Sequence, residues 1–164
     1  QTDMGKEEKE AMNISTLGST FEISLRILLM LNELQDSSFD EQQIGAVDFI
    51  SVYAADFGLL DENLHGYSNY RFSEYPARKY IVSSALKGLL LDGNIRLHST
   101  STGYRFSITE AGKNICRKLT SDYAEEYRIA IQSVISRYDH ANAELMLQEI
   151  NRVTVQSLKE IGHE

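Results

Sequence analysis

The chain has 164 residues, 42% of them hydrophobic, a single cysteine and a net charge of −8. That length fits one domain with appendages, and the apolar fraction is enough for a core. One cysteine (Cys116) excludes a disulfide framework and a cysteine-based zinc site.

Residues 1–18 include QTDMGKEEKEAM, a charged run with no apolar period, and are read as a disordered or vector-derived N-terminus. The segment lacks the apolar core of a secretory signal, and the expectation is a cytoplasmic protein. Phe21 to Leu34 is apolar on nearly every face, which predicts a central core helix. Glu22 and Arg26 interrupt it, and it is too short to span a membrane. A second helix is predicted from about Glu41 to Phe57, with Ala46, Ile50, Tyr53, Ala54 and Phe57 facing inward and Asp48 and Asp56 off that face. Residues 58–74 are polar and contain glycine, and read as a loop.

A third helix is predicted from Pro76 to Leu91. Pro76 suits a first-turn position and Gly93 a C-terminal stop. Ile81, Val82, Ala85 and Leu89 share one face; Lys79, Ser83 and Lys87 share the other. Arg78 falls on the apolar side. A charge there needs a partner; Asp56, Glu74 and Asp48 are the candidates, with Arg78–Asp56 the expected structural ion pair.

Two alternating strands follow. Ile95 and Leu97 alternate with Arg96 and His98; Tyr104, Phe106 and Ile108 alternate with Arg105 and Ser107. The loop Ser99–Gly103 joins them, and Arg96 and Arg105 are expected to point outward. A new helix starts at Thr109-Glu110-Ala111-Gly112. Helix, helix, helix, hairpin, helix is the order of a winged helix-turn-helix domain, here spanning 19–120.

From Asp122 to Ile161 there is no proline or glycine. Asp122 and Glu125 have capping-box spacing. Tyr127, Ile131, Val134 and Tyr138 form one apolar seam; Leu147, Ile150, Leu158 and Ile161 form another beyond Asp139–Asn142. Residues 121–164 are therefore expected to form a C-terminal helical arm, with packing back onto the core as the alternative. The fold class is mainly α with a small β-hairpin.

Charge is unevenly spread. Residues 1–70 carry 13 acidic and 3 basic side chains, 71–118 carry 3 and 9, and 119–164 carry 8 and 4. The positive middle can steer toward phosphates or an acidic partner, with Lys79, Lys87, Arg96 and Arg105 as the candidate partner- or DNA-binding residues. The four histidines are scattered without metal-ligand spacing, and no glycine-rich phosphate loop appears, so no catalytic residue, metal or cofactor is expected.

The ordered segments FEISLRILLMLNEL (21–34), VDFISVYAADFG (47–58), NLHGYSNYR (63–71), ARKYIVSSALKGLLLDGNI (77–95) and YRFSITEAGK (104–113) resemble the middle component of bacterial ABC-three-component systems. These include Lamassu-type defence operons against phage and plasmids. The resemblance covers roughly residues 19–138. Gly66 stands where a proline usually follows the histidine of that pattern. What the resemblance implies is a non-enzymatic adaptor between an SMC/Rad50-like ATPase and an effector, often a nuclease, with the DNA backbone as a possible further contact. The alternative is a winged-helix transcription regulator with its third helix in the major groove. Against it, the outer face of that helix offers only Lys79 and Lys87, with no Asn or Gln to read base edges.

Overall fold

The computed structural model describes residues 20–34 and 37–162; the expectation for residues 1–18 lies outside them. Helix α1 covers 20–33. Ile27, Leu28, Met30 and Leu31 on it are almost fully buried. Helix α2, Glu41–Val52, starts at a capping box. The Gln43 amide donates to the Asp40 carboxylate at 2.7 Å, and the Asp40 amide donates to the Gln43 side chain at 3.0 Å. Every residue from Ala46 to Val52 is buried, and α3, α5, α6 and the hairpin pack around this helix, so α2 shares the centre with α1. It ends five residues before the expected Phe57, because the chain turns at Tyr53 into the loop 53–70.

A 3₁₀ turn, Arg71–Ser73, leads into α3, Glu74–Leu91. Pro76 is its third residue, where backbone N–H groups have no intrahelical acceptor. Gly93, at φ 76°, closes it, and the Asn94 amide returns to the Leu89 carbonyl at 2.9 Å. Gly88 lies inside this helix, exposed, with no other part of the described chain within 4 Å of where its Cβ would stand. An internal glycine costs a helix about 0.5–1 kcal/mol relative to alanine, and no contact among the described residues requires it.

Strands β1, Ile95–Thr100, and β2, Gly103–Ile108, pair antiparallel in the register Ile95↔Ile108, Leu97↔Phe106, Ser99↔Tyr104. The turn is tighter than expected, with only Ser101 and Thr102 between the strands. Their apolar face is buried at Ile95, Phe106 and Ile108, but it runs past the core. Leu97 is 43% and Tyr104 62% exposed. A single rung from Phe39, between α1 and α2, joins the free side of β2, with N–H···O bonds of 3.0 and 2.7 Å exchanged between Phe39 and Phe106.

Helix α4, Glu110–Arg117, is capped by the Thr109 hydroxyl, which accepts from the Gly112 amide at 3.2 Å. Gly112 packs where only hydrogen fits. A Cβ there would stand 2.3 Å from the Asn94 carbonyl oxygen and 2.7 Å from Ile108 Cγ1. Gly112→Ala is expected to destabilise by about 1–3 kcal/mol, read by chemical denaturation; an unchanged midpoint would show that the α3–β1 connection gives way freely.

Helix α5, Asp122–Arg137, is capped by Ser121 rather than Asp122, the Ser121 hydroxyl accepting from the Ala124 amide at 3.1 Å. Tyr127, Ile131 and Val134 are fully buried, and α5 lies along α2. A corner follows at Asp139–Ala141, with His140 (φ 54°) and Ala141 (φ 49°) in the left-handed region. The Gln43 side chain donates to the Ala141 carbonyl at 3.1 Å and ties this corner to the cap of α2. Helix α6, Ala143–Gly162, then packs back on α2. Residues 121–162 thus pack onto the core over most of their length, the alternative to a projecting arm. Apolar burial decides this: Met146, Ile150 and Val153 face inward, whereas Leu158 (63% exposed) and Ile161 of the expected seam lie in solvent. No helix among the described residues is long and apolar enough to cross a membrane.

Candidate interaction surface and the ion cluster beneath it

Four elements meet at Asp48. It is 1% exposed on α2 and accepts from Arg26 Nε at 2.7 Å and a second Arg26 nitrogen at 3.1 Å, a two-point guanidinium–carboxylate contact from α1. Arg78 on α3 adds a 3.3 Å bond, and the Tyr127 hydroxyl on α5 donates at 2.7 Å. Burial alone would raise the Asp48 carboxyl. The Arg26 charge and hydrogen bonds, then Arg78 and Tyr127, outweigh it and hold the carboxyl below its ordinary range. Burial likewise works against the Arg26 charge, and Asp48 more than offsets it. Tyr127 is pushed well above its usual value by burial and by the neighbouring carboxylate. The three shifts favour an ionised Asp48, a charged Arg26 and a neutral Tyr127.

Asp48 was expected off the inner face of α2; it is among the most buried residues of the chain. Arg78 pairs with Asp48 and, at 3.5 Å, with Glu74. The expected Arg78–Asp56 pair does not form. Asp56 instead takes Arg71 at 2.7 Å, and Asn63 binds the same carboxylate at 2.7 Å while closing the 53–66 loop through the Ala55 amide. Geometry explains the exchange, since the chain turns away from α2 after Tyr53 and carries Asp56 to the Arg71 side. The Arg78 guanidinium also lies 5.6 and 5.5 Å from the Phe49 and Tyr53 ring centres. Tyr53 is pushed up to about 12, chiefly by burial and then by its 2.9 Å bond to Glu74. Arg78→Ala removes one of three partners of Asp48 and leaves Arg26 and Tyr127 in place. The expected loss is about 2 kcal/mol, the scale of a hydrogen bond to a charge, measured by urea denaturation. A wild-type midpoint with failed partner binding would make Arg78 an interface residue.

His65 sits beside the cluster. Its ring stacks on Tyr123, and Nε2 lies 2.7 Å from the Tyr123 hydroxyl. Burial first, then the Arg26 and Arg78 charges, lower it to about 4. Two clefts of about 280–290 Å³ flank Arg26 and His65, one walled by Leu25, Leu29 and Leu119, the other by Ala77 and Ile81.

Most of the basic middle segment is engaged internally. Arg105, expected to point outward, binds Ser38 through its side chain (3.0 Å) and carbonyl, and reaches Gln43 at 3.3 Å. It fastens the hairpin to the α1–α2 connection. Arg71 and Arg78 are paired as described, and Lys113 and Arg117 reach Glu110. Of the four candidate residues, Lys79, Lys87 and Arg96 are exposed, and Arg105 is not. Lys79 and Lys87 lie on the outward half of α3, Lys79 with its ammonium 5.5 Å from the Tyr75 ring centre. Around them stand Tyr80, 84% exposed, and Leu91, 88% exposed, the two most exposed large apolar side chains among the described residues. On a helical wheel Tyr80 and Leu91 fall away from the buried face of α3, a position that the charges alone do not mark.

Cys116 is buried and its thiol is raised to about 11 by that burial, which suits a packing role. Among the described residues no group of histidine, cysteine and carboxylate side chains is placed to hold a metal ion.

No curated protein and no solved structure matches the chain. The family model described as ABC-three component (ABC-3C) system Middle Component 2 matches residues 16–160. With the match running from before α1 nearly to the end of α6, the chain belongs to the Middle Component 2 family of ABC-three component systems.

Proposed function

We propose that this chain is a non-catalytic adaptor that joins an SMC/Rad50-like ATPase to an effector, often a nuclease, in a Lamassu-type complex directed against phage or plasmid DNA. The family match over residues 16–160 carries the reading: a middle component works within a multi-component system and needs protein partners. The polar groups support it. The best-formed ion cluster, around Asp48, is fully paired among its own members, as a structural centre is.

The helical part is read as a winged helix. The element order α1, Phe39 rung, α2, α3, β1, β2 supports this, because the rung places a third strand segment beside the hairpin, as a winged domain requires. In a DNA reader α3 would enter the major groove. Its outward face instead offers Tyr80 and Leu91, which suits a protein surface better than base edges.

The test is co-expression with the ATPase and effector of the same system, followed by size-exclusion chromatography. The expected result is a stable complex that needs this chain to bring the other two together, with no ATPase or nuclease activity in the chain alone. A lone homodimer that protects one DNA sequence with nanomolar-range affinity would replace the adaptor with a transcription regulator.

A further inference from the structure

The fold occupies one edge of the hairpin and leaves the other open. Phe39 and Phe106 exchange both N–H···O bonds, and Arg105 clasps Ser38, so the outer side of β2 is taken at its middle. That exchange also fixes which way the backbone of β1 points. In an antiparallel ladder the N–H and C=O groups of successive residues face opposite sides. Phe106 turns its pair toward Phe39, so its cross-strand neighbour Leu97 turns its own pair away from β2. The same parity holds for Ser99, opposite Tyr104, while Arg96, His98 and Thr100 face β2. The N–H and C=O groups of Leu97 and Ser99 therefore stand along the outer edge of β1, and no described residue bonds to them. Both residues are exposed, whereas Ile95, next along that side, is buried. Such a row is a template for an added strand, and proteins commonly guard it with proline, lysine or a bulge. β1 has none of these, and its register is unbroken from Ile95 to Thr100.

The side chains on either face of β1 define what adds. On the apolar face Leu97 and Tyr104 run past the core, 43% and 62% exposed. On the polar face Arg96 is exposed and makes no ion pair among the described residues; Glu110, the first carboxylate after the hairpin, is taken by Lys113 and Arg117. From Gly93 to Thr109 the chain has no acidic residue. A side chain opposite Arg96 on an added strand would have its Cβ about 4.5–5.5 Å from that of Arg96, close enough for an ion pair. We infer that the outer edge of β1 takes an extended strand of a partner protein by backbone pairing. That strand sets a carboxylate opposite Arg96 and an apolar side chain against Leu97. A second copy cannot supply this. Two-fold antiparallel pairing of β1 with itself sets Arg96 against Arg96, His98 or Thr100, and brings no carboxylate.

The proposal rests on the adaptor reading for the identity of its probes, the ATPase and effector of the same system. Amide hydrogen exchange of the full chain is followed at residue resolution, alone and with each component. Alone, the Leu97 and Ser99 amides should exchange fast, and those of Arg96 and His98 should be protected. The component that binds should slow Leu97 and Ser99 by about tenfold or more. Calorimetry then compares the wild type with Ser99→Pro, which removes an outward N–H that the hairpin does not use, and with Arg96→Glu. Both should melt near wild type and weaken binding by about tenfold or more, a loss of at least about 1.4 kcal/mol. If Ser99→Pro melts lower, the exchange pattern and Arg96→Glu decide. Binding that leaves both amides fast overturns the inference and leaves the adaptor standing. Failure of the wild type to bind either component overturns both. Slow exchange at Leu97 and Ser99 in the isolated chain also overturns the inference, giving the edge to the chain itself in a monomer or to a second copy in a dimer. A chain that ignores both proteins but binds a DNA duplex through Arg96, with those amides still fast, assigns the hairpin to nucleic acid and overturns the added strand.

Discussion

Asp48→Ala is expected to lower the stability by about 3–5 kcal/mol, the usual cost of removing one member of a buried charged group. The reason lies in what stays behind. Arg26, 4% exposed, keeps its charge in the interior with its two-point partner gone. Arg78 keeps only Glu74, and the Tyr127 hydroxyl, with no exposure, loses its acceptor. A domain this size is stable by about 5–15 kcal/mol, so the variant should melt far below wild type or fail to accumulate. Asp48→Asn separates charge from shape: it keeps an acceptor for Tyr127 yet leaves two guanidinia facing a neutral group, and should recover only part of the loss. Joint replacement of Asp48 and Arg26 by Leu and Met should cost less than Asp48→Ala alone, since an apolar pair leaves only Arg78 and Tyr127 to re-partner. Denaturation midpoints for the four proteins check this. A midpoint for Asp48→Ala near wild type would show that water reaches the cluster and that it is not the centre of the fold.

The parts of this structure that could be read from the chain are those whose pattern is local. Helix α3 shows its buried Val82, Ala85 and Leu89 in the sequence, and Gly93 marks its end. The hairpin shows itself by alternation, although its exposed half at Leu97 and Tyr104 follows from how far the core extends, which alternation does not carry. Asp48 was misplaced for a physical reason. Wheel arguments send a charge outward from a helix with an apolar face, but α2 is covered on all sides from Ala46 to Val52, so its carboxylate stays inside and recruits cations. Those cations lie 22 and 30 residues away, and the tyrosine 79 away, on three different helices. Nothing in local spacing announces such a meeting. Arg105 is the same lesson on the hairpin: alternation turns it off the apolar face, and the α1–α2 connection is waiting there. On α6 the seam continued in the sequence past the point where α2 and the 3₁₀ turn at Arg71–Ser73 cease to cover it, leaving Leu158 and Ile161 outside.

Acid should weaken the fold well before it reaches Asp48, and His65 is the cause. In the unfolded chain its imidazole takes a proton near pH 6.5; in the fold, burial and the Arg26 and Arg78 charges delay this to about 4. Glu74 and Asp48 pull the other way and do not prevail, and Tyr123 adds a neutral hydroxyl on the remaining side. Between those two values the unfolded state binds the extra proton and the native state does not. Stability is therefore full above about pH 6.5 and declines as pH falls toward 4. The linkage bounds the loss at about 3 kcal/mol, and the part of the ring that reaches water lowers that figure. Asp48 acts in a separate window. Its carboxyl is held below the ordinary value of 3.8, so its contribution persists through the His65 range and is lost only at lower pH. Urea denaturation of the wild type and of His65→Asn at pH 7.5, 5.5 and 4.5 resolves the effect. The wild type should lose midpoint steadily, while the variant, whatever its stability at pH 7.5, should change less over the same range. Parallel declines in the two proteins would assign the acid sensitivity to other groups and place His65 in contact with solvent.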